Sequence, residues 1–171
     1  PLEAGRVART IATADAAIDI APGDFIREAR DQLLVETTGD ASAELLLIGR
    51  RQLRSNNSWM HNSHRLVKGR PRCTLLIHPD DAVSRDLANG DLACVESKAG
   101  ALTAVIEVTD AIMPGVVSLP HGWGHDRDGT RLTVARQSPG VSVNDVTSEF
   151  AVDTLSGNAA FNGLPVRIRA V

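Results

Sequence analysis

The sequence predicts a mainly β domain with a few small helices, whose strands form a closed or nearly closed barrel. Between residues 45 and 171, short apolar runs of strand length recur with turn-forming residues between them. The chain has 171 residues, 43% of them hydrophobic, which suffices for one core and an appended segment. It contains two tryptophans, three phenylalanines and no tyrosine, so we expect an aliphatic core.

One amphipathic helix is expected before the barrel, over residues 24–35. Pro22 and Gly23 precede this helix and Gly39 follows it, as is typical of helix ends. Apolar residues recur on one of its faces at helical spacing. They are Phe25, Ile26, Ala29, Leu33 and Leu34. We therefore interpret residues 1–43 as a linker and helix from a preceding domain, and residues 44–171 as the barrel domain.

Seven strands are expected in the barrel region. They cover residues 45–48, 74–77, 92–96, 102–108, 116–119, 132–135 and 166–171. A hairpin turn at residues 98–100 joins the third and fourth strands, and Pro114 breaks the chain before the fifth. We expect a short helix over residues 79–87, because proline is favoured in a first helical turn and Asn89 and Gly90 follow the end.

Composition excludes several functional classes. The net charge of -3 and the few aromatic residues disfavour a general nucleic-acid-binding protein. No stretch approaches the roughly 18 consecutive apolar residues of a membrane helix, and no basic segment followed by an apolar run begins the chain. We expect a soluble, cytoplasmic protein, with any targeting signal upstream of Pro1. Cys73 and Cys94 lack C-x-x-C spacing and are interpreted as reduced core thiols.

Positive charge is concentrated in one part of this acidic chain. Residues 45–79 contain no acidic residue but hold seven of the 18 cationic residues. These are Arg50, Arg51, Arg54, Arg65, Lys68, Arg70 and Arg72. Such a zone predicts a site for one compact anion, because the remaining surface would repel a polyanion such as DNA. Arginine suits phosphate because its planar guanidinium makes bidentate contacts. A solvated basic loop is the alternative interpretation.

The first candidate binding loop follows the strand at residues 45–48. Its sequence is GRRQLRSNNSWMHN, residues 49–62. Gly49 allows the backbone to approach a ligand closely and to turn sharply. The arginines, the turn amides and the Ser and Asn side chains can then hold phosphate oxygens and a base edge. Neither a Walker loop nor a G-x-G-x-x-G fingerprint is present in the sequence.

The second candidate loop, LPHGWGHD at residues 119–126, also follows a strand. Its glycines, Gly122 and Gly124, favour a loop pressed against a flat ligand. His121 and His125 would match a metal site if the loop were helical, but the glycines disfavour a helix. No metal ligand is therefore predicted.

Other histidines and serines carry no predicted chemistry. His61 and His64 are interpreted as hydrogen-bonding or surface residues. Ser118 with a nearby histidine and aspartate is not supported as a catalytic triad, because nothing like G-x-S-x-G is present in the sequence. No catalytic residue is predicted in this chain.

Together the two loops resemble the C-terminal molybdopterin dinucleotide-binding domain of the dimethyl sulfoxide reductase superfamily. Residues 46–62 are similar to the opening of that domain. HPDDA at 78–82, followed by LANGD at 87–91, is similar to its P-x-D-A and G-D-x-V stretch. IMPGVVSLPHGWG at 112–124 matches its PGVV and HGWG segment, and SGNAAFNG at 156–163 resembles its closing SG-x-P stretch. The resemblance covers about residues 44–171 and is greatest to the bacterial formate dehydrogenase and nitrate reductase branch.

The resemblance implies a double-psi β-barrel of the aspartate decarboxylase-like type, in which two loops meet and hold molybdopterin guanine dinucleotide. It assigns the pyrophosphate and nucleoside to Gly49, Arg50, Arg51, Arg54, Ser55, Asn56 and Asn57. Asp81 is implied at the guanine edge. The pterin would be lined by His121, Gly122, Trp123 and Gly124, and the pocket completed by Asn144, Asp145 and Asn162. Two departures are an asparagine missing near Thr130 or Arg131 and Ala159 in place of the closing proline.

The function implied by the resemblance is cofactor binding within a molybdenum or tungsten oxidoreductase. The metal would be held partly by another domain, so no turnover is expected from this chain alone. Expected partners are the other domains of the same enzyme and an iron–sulfur electron-transfer subunit. One alternative is a protein-interaction module, because double-psi barrels also serve as N-terminal domains of some AAA-type ATPases. A self-contained hydrolase is the weaker alternative.

Overall fold

The chain divides into two compact units in the computed structural model, which describes residues 5–15, 17–36 and 45–171. The first unit comprises the N-terminal residues up to Gly39 together with Thr154–Gly157. The second comprises Asp40–Asp153 and Asn158–Val171. The domain boundary predicted between residues 43 and 44 lies outside the described residues.

The first unit contains two helices, α1 (Arg6–Thr10) and α2 (Gly23–Glu36). The second of these confirms the predicted helix, and Asp24 lies in its first turn, where a negative charge favours the helix dipole. Of the predicted apolar face, Phe25 and Ile26 are about half exposed. Within the described ranges, no helix has both the length and the apolar character required to cross a membrane.

The second unit is a closed barrel of six strands. They are β1 (Leu45–Arg50), β2 (Thr74–Ile77), β3 (Leu92–Glu96), β4 (Ala101–Val108), β5 (Val116–Pro120) and β6 (Leu164–Ala170). Around the barrel their order is β1-β5-β2-β4-β3-β6. The pairs β1–β5 and β2–β4 are parallel, and all other neighbours are antiparallel. The mainly β double-psi barrel predicted for this chain is thus confirmed.

Two local predictions differ from the structure. The strand expected at residues 132–135 is wrong: a 3₁₀ helix begins there, Ala135–Gln137. The amide oxygen of Asn62 accepts the main-chain N–H groups of Val134 and Ala135, at 2.9 and 3.3 Å, so these groups are not paired in a strand. The helix expected at residues 79–87 is shorter, α4 (Pro79–Val83). Asp86, inside the predicted range, has a left-handed φ of 54°, which is incompatible with a continuing right-handed helix. Two helices were not predicted, α1 and α3 (His64–Val67).

The barrel interior is aliphatic, as the composition predicts. Side chains alternate inward and outward along the strands, so that Leu102, Ala104 and Ile106 of β4 are buried while their neighbours face outward. The buried core cluster contains no aromatic side chain among the described residues. Both cysteines are free and partly buried, and burial raises the pKa of the Cys73 thiol.

Candidate functional site

The two predicted binding loops leave the barrel at the same end. Strands β1, β3 and β5 run in one direction and β2, β4 and β6 in the other, as their pairing requires. At one end of the barrel, therefore, β1, β3 and β5 end and β2, β4 and β6 begin. We call this the loop end, and the opposite one the far end. The arginine loop (residues 51–63) and the His-Gly-Trp loop (residues 121–125) both start at the loop end.

The parallel pairing of β1 with β5 places the starts of these loops side by side. Gly49 lies opposite Leu119, and Arg50 lies opposite Pro120. The pairing continues one step beyond β5, where the main-chain N–H of His121 donates to the carbonyl of Arg50 at 3.1 Å. Residues that are far apart in the sequence thus become neighbours, because β1 and β5 pair in parallel.

The two loops then touch backbone to backbone. Gly122 has φ +87°, and a Cβ built on it would lie 2.5 Å from the carbonyl carbon of Asn57 and 2.9 Å from the nitrogen of Ser58. Asn56 and Asn57 hold left-handed conformations, φ 43° and 63°, which asparagine tolerates better than most residues. Only glycine fits at position 122 with the loops in this arrangement.

A second close contact joins Gly49, His121 and Asn162. A Cβ on Gly49 would lie 2.7 Å from Cδ2 of the His121 ring, so the imidazole occupies the space a side chain would need. The main-chain N–H of Gly49 donates to the side-chain oxygen of Asn162 at 2.8 Å. Burial lowers the pKa of His121, and the charge of Arg51 lowers it further. Both effects favour the neutral form of the imidazole.

Two buried histidine rings and the partly buried ring of Trp123 lie where the loops meet. Nδ1 of His61 is 2.7 Å from Nε2 of His125. The ring of His61 also packs on Trp123, with centroids 4.0 Å apart and planes inclined by 34°. Burial lowers the pKa of His61 to about 4, and the charges of His125 and Arg72 act in the same direction. Burial also lowers the pKa of His125, against the charge of Asp126.

The segment at residues 139–142 supports the His-Gly-Trp loop from behind. The carbonyl of Pro139 accepts the N–H groups of Gly124 and His125 at 2.8 and 3.1 Å. A Cβ on Gly124 would lie 2.8 Å from Cβ of Ser142. A Cβ on Gly140 would lie 2.8 Å from the Trp123 ring. The loop is thus packed tightly on the side formed by this segment.

The arginines of the zone have different roles. The guanidinium of Arg50 turns into the barrel end, where it donates to the carbonyls of Ser118 and of Thr74, the latter at 2.6 Å. Burial lowers its pKa. Arg51 and Arg54 are exposed. Arg51 donates to the side-chain oxygen of Asn57, and Arg54 donates to the carbonyl of Arg65 at 2.9 Å. The exposed Arg51 and Arg54 can thus bind an anion, while Arg50 connects β1 with β2 and β5.

Three buried polar atoms in these loops have no hydrogen-bond partner within the protein. They are Oγ of Ser55, Nε2 of His61 and Nε1 of Trp123, and they are the unpartnered buried side-chain atoms found in the described residues. Buried polar groups are normally paired, and each one left unpaired costs about 1–3 kcal/mol. These three atoms are concentrated in two loops that touch each other.

The remaining predicted residues divide between the two barrel ends. Asn144 and Asp145 lie in a 3₁₀ helix, Val143–Val146, against the β3–β4 hairpin at the loop end, and Asp145 pairs with Arg127. Asp81 does not join the site cluster, because it follows the end of β2 and lies at the far end. Its carboxylate accepts the N–H of Gly115 at 2.7 Å.

His61 and His125 are the site residues that the sequence prediction left out. A signal for them exists, since each loop contains a Trp-x-His triplet, Trp59-Met60-His61 and Trp123-Gly124-His125. The two triplets are used differently. Trp123 packs on His61, while Trp59 is 82% exposed.

Comparison with known proteins identifies the family. The model of the family described as "Molydopterin dinucleotide binding domain" matches residues 45–165. Dimethyl sulfoxide/trimethylamine N-oxide reductase of Rhodobacter capsulatus is 40% identical over 60 residues, which cover 35% of this chain and 7% of that protein. A tetrathionate reductase subunit of Salmonella typhimurium is 27% identical over 125 residues, which cover 63% of this chain and 12% of that protein.

A solved structure shows the same fold. Acetylene hydratase from Pelobacter acetylenicus superposes with a TM-score of 0.61 at 23% identity, over 84% of this chain and 20% of that one. The chain thus spans a fifth or less of the length of each of these three proteins. With the family model covering residues 45–165, the chain belongs to the molybdopterin dinucleotide-binding domain family of molybdenum oxidoreductases.

Proposed function

We propose that the two touching loops hold molybdopterin guanine dinucleotide in an oxidoreductase, with the arginine loop on the phosphates and nucleoside and the His-Gly-Trp loop on the pterin. The observation that carries this proposal is the set of three unpartnered buried polar atoms, all in these loops. The exposed guanidinium groups of Arg51 and Arg54 stand beside them on the arginine loop. Unpaired polar groups beside two exposed guanidinium groups suit a polar ligand that joins a heterocycle to a pyrophosphate.

The residues of this chain bind and orient the ligand. In this family the cofactor supplies the redox chemistry through its metal, and the protein supplies position and electrostatics. Arg51 contacts a phosphate with its exposed guanidinium, while Arg50 holds β1, β2 and β5 together. The neutral form of His121 is favoured, so it serves the ligand as a hydrogen-bonding group and not as a fixed charge. We expect no turnover from this chain alone, because the redox chemistry belongs to the cofactor.

The enzyme branch stays a prediction. The sequence motifs favour a formate dehydrogenase or nitrate reductase, whereas the relatives compared above are named as reductases of dimethyl sulfoxide, trimethylamine N-oxide and tetrathionate. The iron–sulfur partner subunit also stays a prediction.

Titration of the intact chain with guanosine diphosphate tests the proposal. We expect saturable binding by calorimetry, weakened about tenfold in Arg51→Ala, because one charge-assisted hydrogen bond contributes about 1.5–3 kcal/mol. Arg169→Ala is the charge-matched control, since Arg169 is exposed on β6 and pairs with Glu96 at 3.6 Å. Saturable binding that Arg51→Ala leaves unchanged would contradict the assigned phosphate contact. No binding at all would instead favour the interaction-module alternative.

A further inference from the structure

His61 and His125 form a hydrogen bond between two loops that are far apart in sequence. Their nitrogens are 2.7 Å apart, and the two side chains are 2% and 8% exposed. One ring must donate and the other accept, so this bond requires an unprotonated nitrogen on one of the two. If both rings were protonated, two N–H groups would face each other and the bond would break.

The surroundings of the pair favour its neutral state. Burial opposes protonation of His61, and so do the charges of His125 and, less strongly, Arg72. The charged group that acts on His125 is Asp126, which partly offsets the effect of burial. The ring of Trp123 covers His61, and the carbonyl of Gly122 lies near it. A proton on His61 therefore enters a site that burial and the neighbouring positive charge both disfavour.

The loops contact each other at three points. One is the main-chain contact between Gly122 and Asn57, which depends on the missing side chain of the glycine. The second is the packing of the Trp123 ring on His61. The third is the histidine pair, further along both loops, and it is the one of the three that is a hydrogen bond between side chains. A directional bond adds to the packing contacts by fixing the angle between the two loops.

We propose that His61 and His125 are positioning residues. Their mutual hydrogen bond, which we call the clasp, holds the two loops at the spacing that the ligand requires. The proposal rests on the proposed function of the loops. It adds that ligand affinity depends on the protonation of this pair. When the loops are apart, each histidine titrates near its usual pKa of about 6.5. Protonation below that pH favours the separated loops, so affinity is full above about pH 6.5 and falls as the pH decreases toward 4, the pKa of His61 in the joined loops.

Three variants of the intact chain test the clasp, with guanosine diphosphate as the probe. His125→Phe keeps a ring but removes the hydrogen bond, and we expect affinity about tenfold weaker at pH 7.5. His125→Gln can still donate an N–H to His61 without titrating. We expect it to bind within about twofold of the wild type at pH 7.5 and to lose less affinity than the wild type at pH 5. His64→Gln, at an exposed histidine of α3, is the control and should follow the wild type throughout.

A second measurement detects the clasp without a ligand. In ¹⁵N-labelled protein, an N–H···N bond between imidazoles gives a through-hydrogen-bond coupling between Nδ1 of His61 and Nε2 of His125. We expect this coupling at pH 7.5 and its loss in His125→Phe. Its absence in the wild type would overturn the proposal, as would a wild-type pH profile in His125→Gln. If the coupling is present but the wild type does not bind the probe, the proposed function fails, and the positioning role fails with it.

Discussion

Replacing Gly122 with alanine tests whether the direct approach of the two loops is essential to the site. The new Cβ would lie 2.5 Å from the carbonyl carbon of Asn57, and main-chain atoms cannot swing away as a side-chain tip can. Forced overpacking costs about 1–3 kcal/mol. The residue also has φ +87°, a conformation that costs a non-glycine residue roughly 1–2 kcal/mol. We therefore expect Gly122→Ala to lower the free energy of unfolding by about 2–5 kcal/mol.

Gly129→Ala is the matched control for this variant. Gly129 has nearly the same conformation, φ +85°, but a Cβ there would meet no atom within 4 Å. The backbone strain and the loss of unfolded-state entropy are therefore similar in both variants, and their difference isolates the loop contact. Urea denaturation at pH 7.5, followed by tryptophan fluorescence, measures both. If the two variants are equally stable within about 0.5 kcal/mol, the loops do not depend on this contact.

Three further outcomes are expected. Arg50→Ala should lower the free energy of unfolding by about 2–4 kcal/mol, because it leaves buried carbonyls unpaired; an unchanged urea midpoint would show that this arginine is free for a ligand. Asn162→Ala should cost about 1 kcal/mol in the same assay, because the N–H of Gly49 loses its acceptor, while Asn162→Asp keeps one. The wild type should lose stability relative to His61→Gln as the pH falls from about 6.5 to 4, because the unfolded state binds a proton that the native His61 excludes; parallel pH–stability curves would contradict this.

Strands were predictable wherever apolar residues alternate or run together between turn residues. For β2 and β3 the apolar runs predicted both ends of the strand correctly, because turn or charged residues flank each strand. The apolar run at residues 132–135 was wrongly predicted as a strand. The main-chain N–H of Val134 donates to the side chain of Asn62, in a distant loop, and not to a neighbouring strand. A pattern of local hydrophobicity contains no information about such a contact.

The site was predictable in its two loops but not in the roles of individual residues. Gly49 and Gly122 were singled out as points of close approach to a ligand, yet the structure shows that each is pressed against the other loop. Arg50 matches the binding motif, but its partners are carbonyls of β2 and β5. His61 was interpreted as a hydrogen-bonding or surface residue and not as a site residue, because the Trp-x-His triplet does not show which of its rings will be buried. These roles follow from the tertiary packing of strands, which the sequence pattern only outlines.

The parallel pairing of β1 with β5 has a consequence for how the protein acquires its ligand. Arg50 and Ser118 are 68 positions apart, and closing a loop of that length costs roughly 4 kcal/mol in chain entropy before any contact forms. The two loops cannot meet until this closure has occurred, so a partly folded chain has no binding site to offer. Long-range parallel pairing of this kind is also slow to form. Loading of the ligand is therefore a late event, and a molecule that binds both loops would slow the reopening of the barrel.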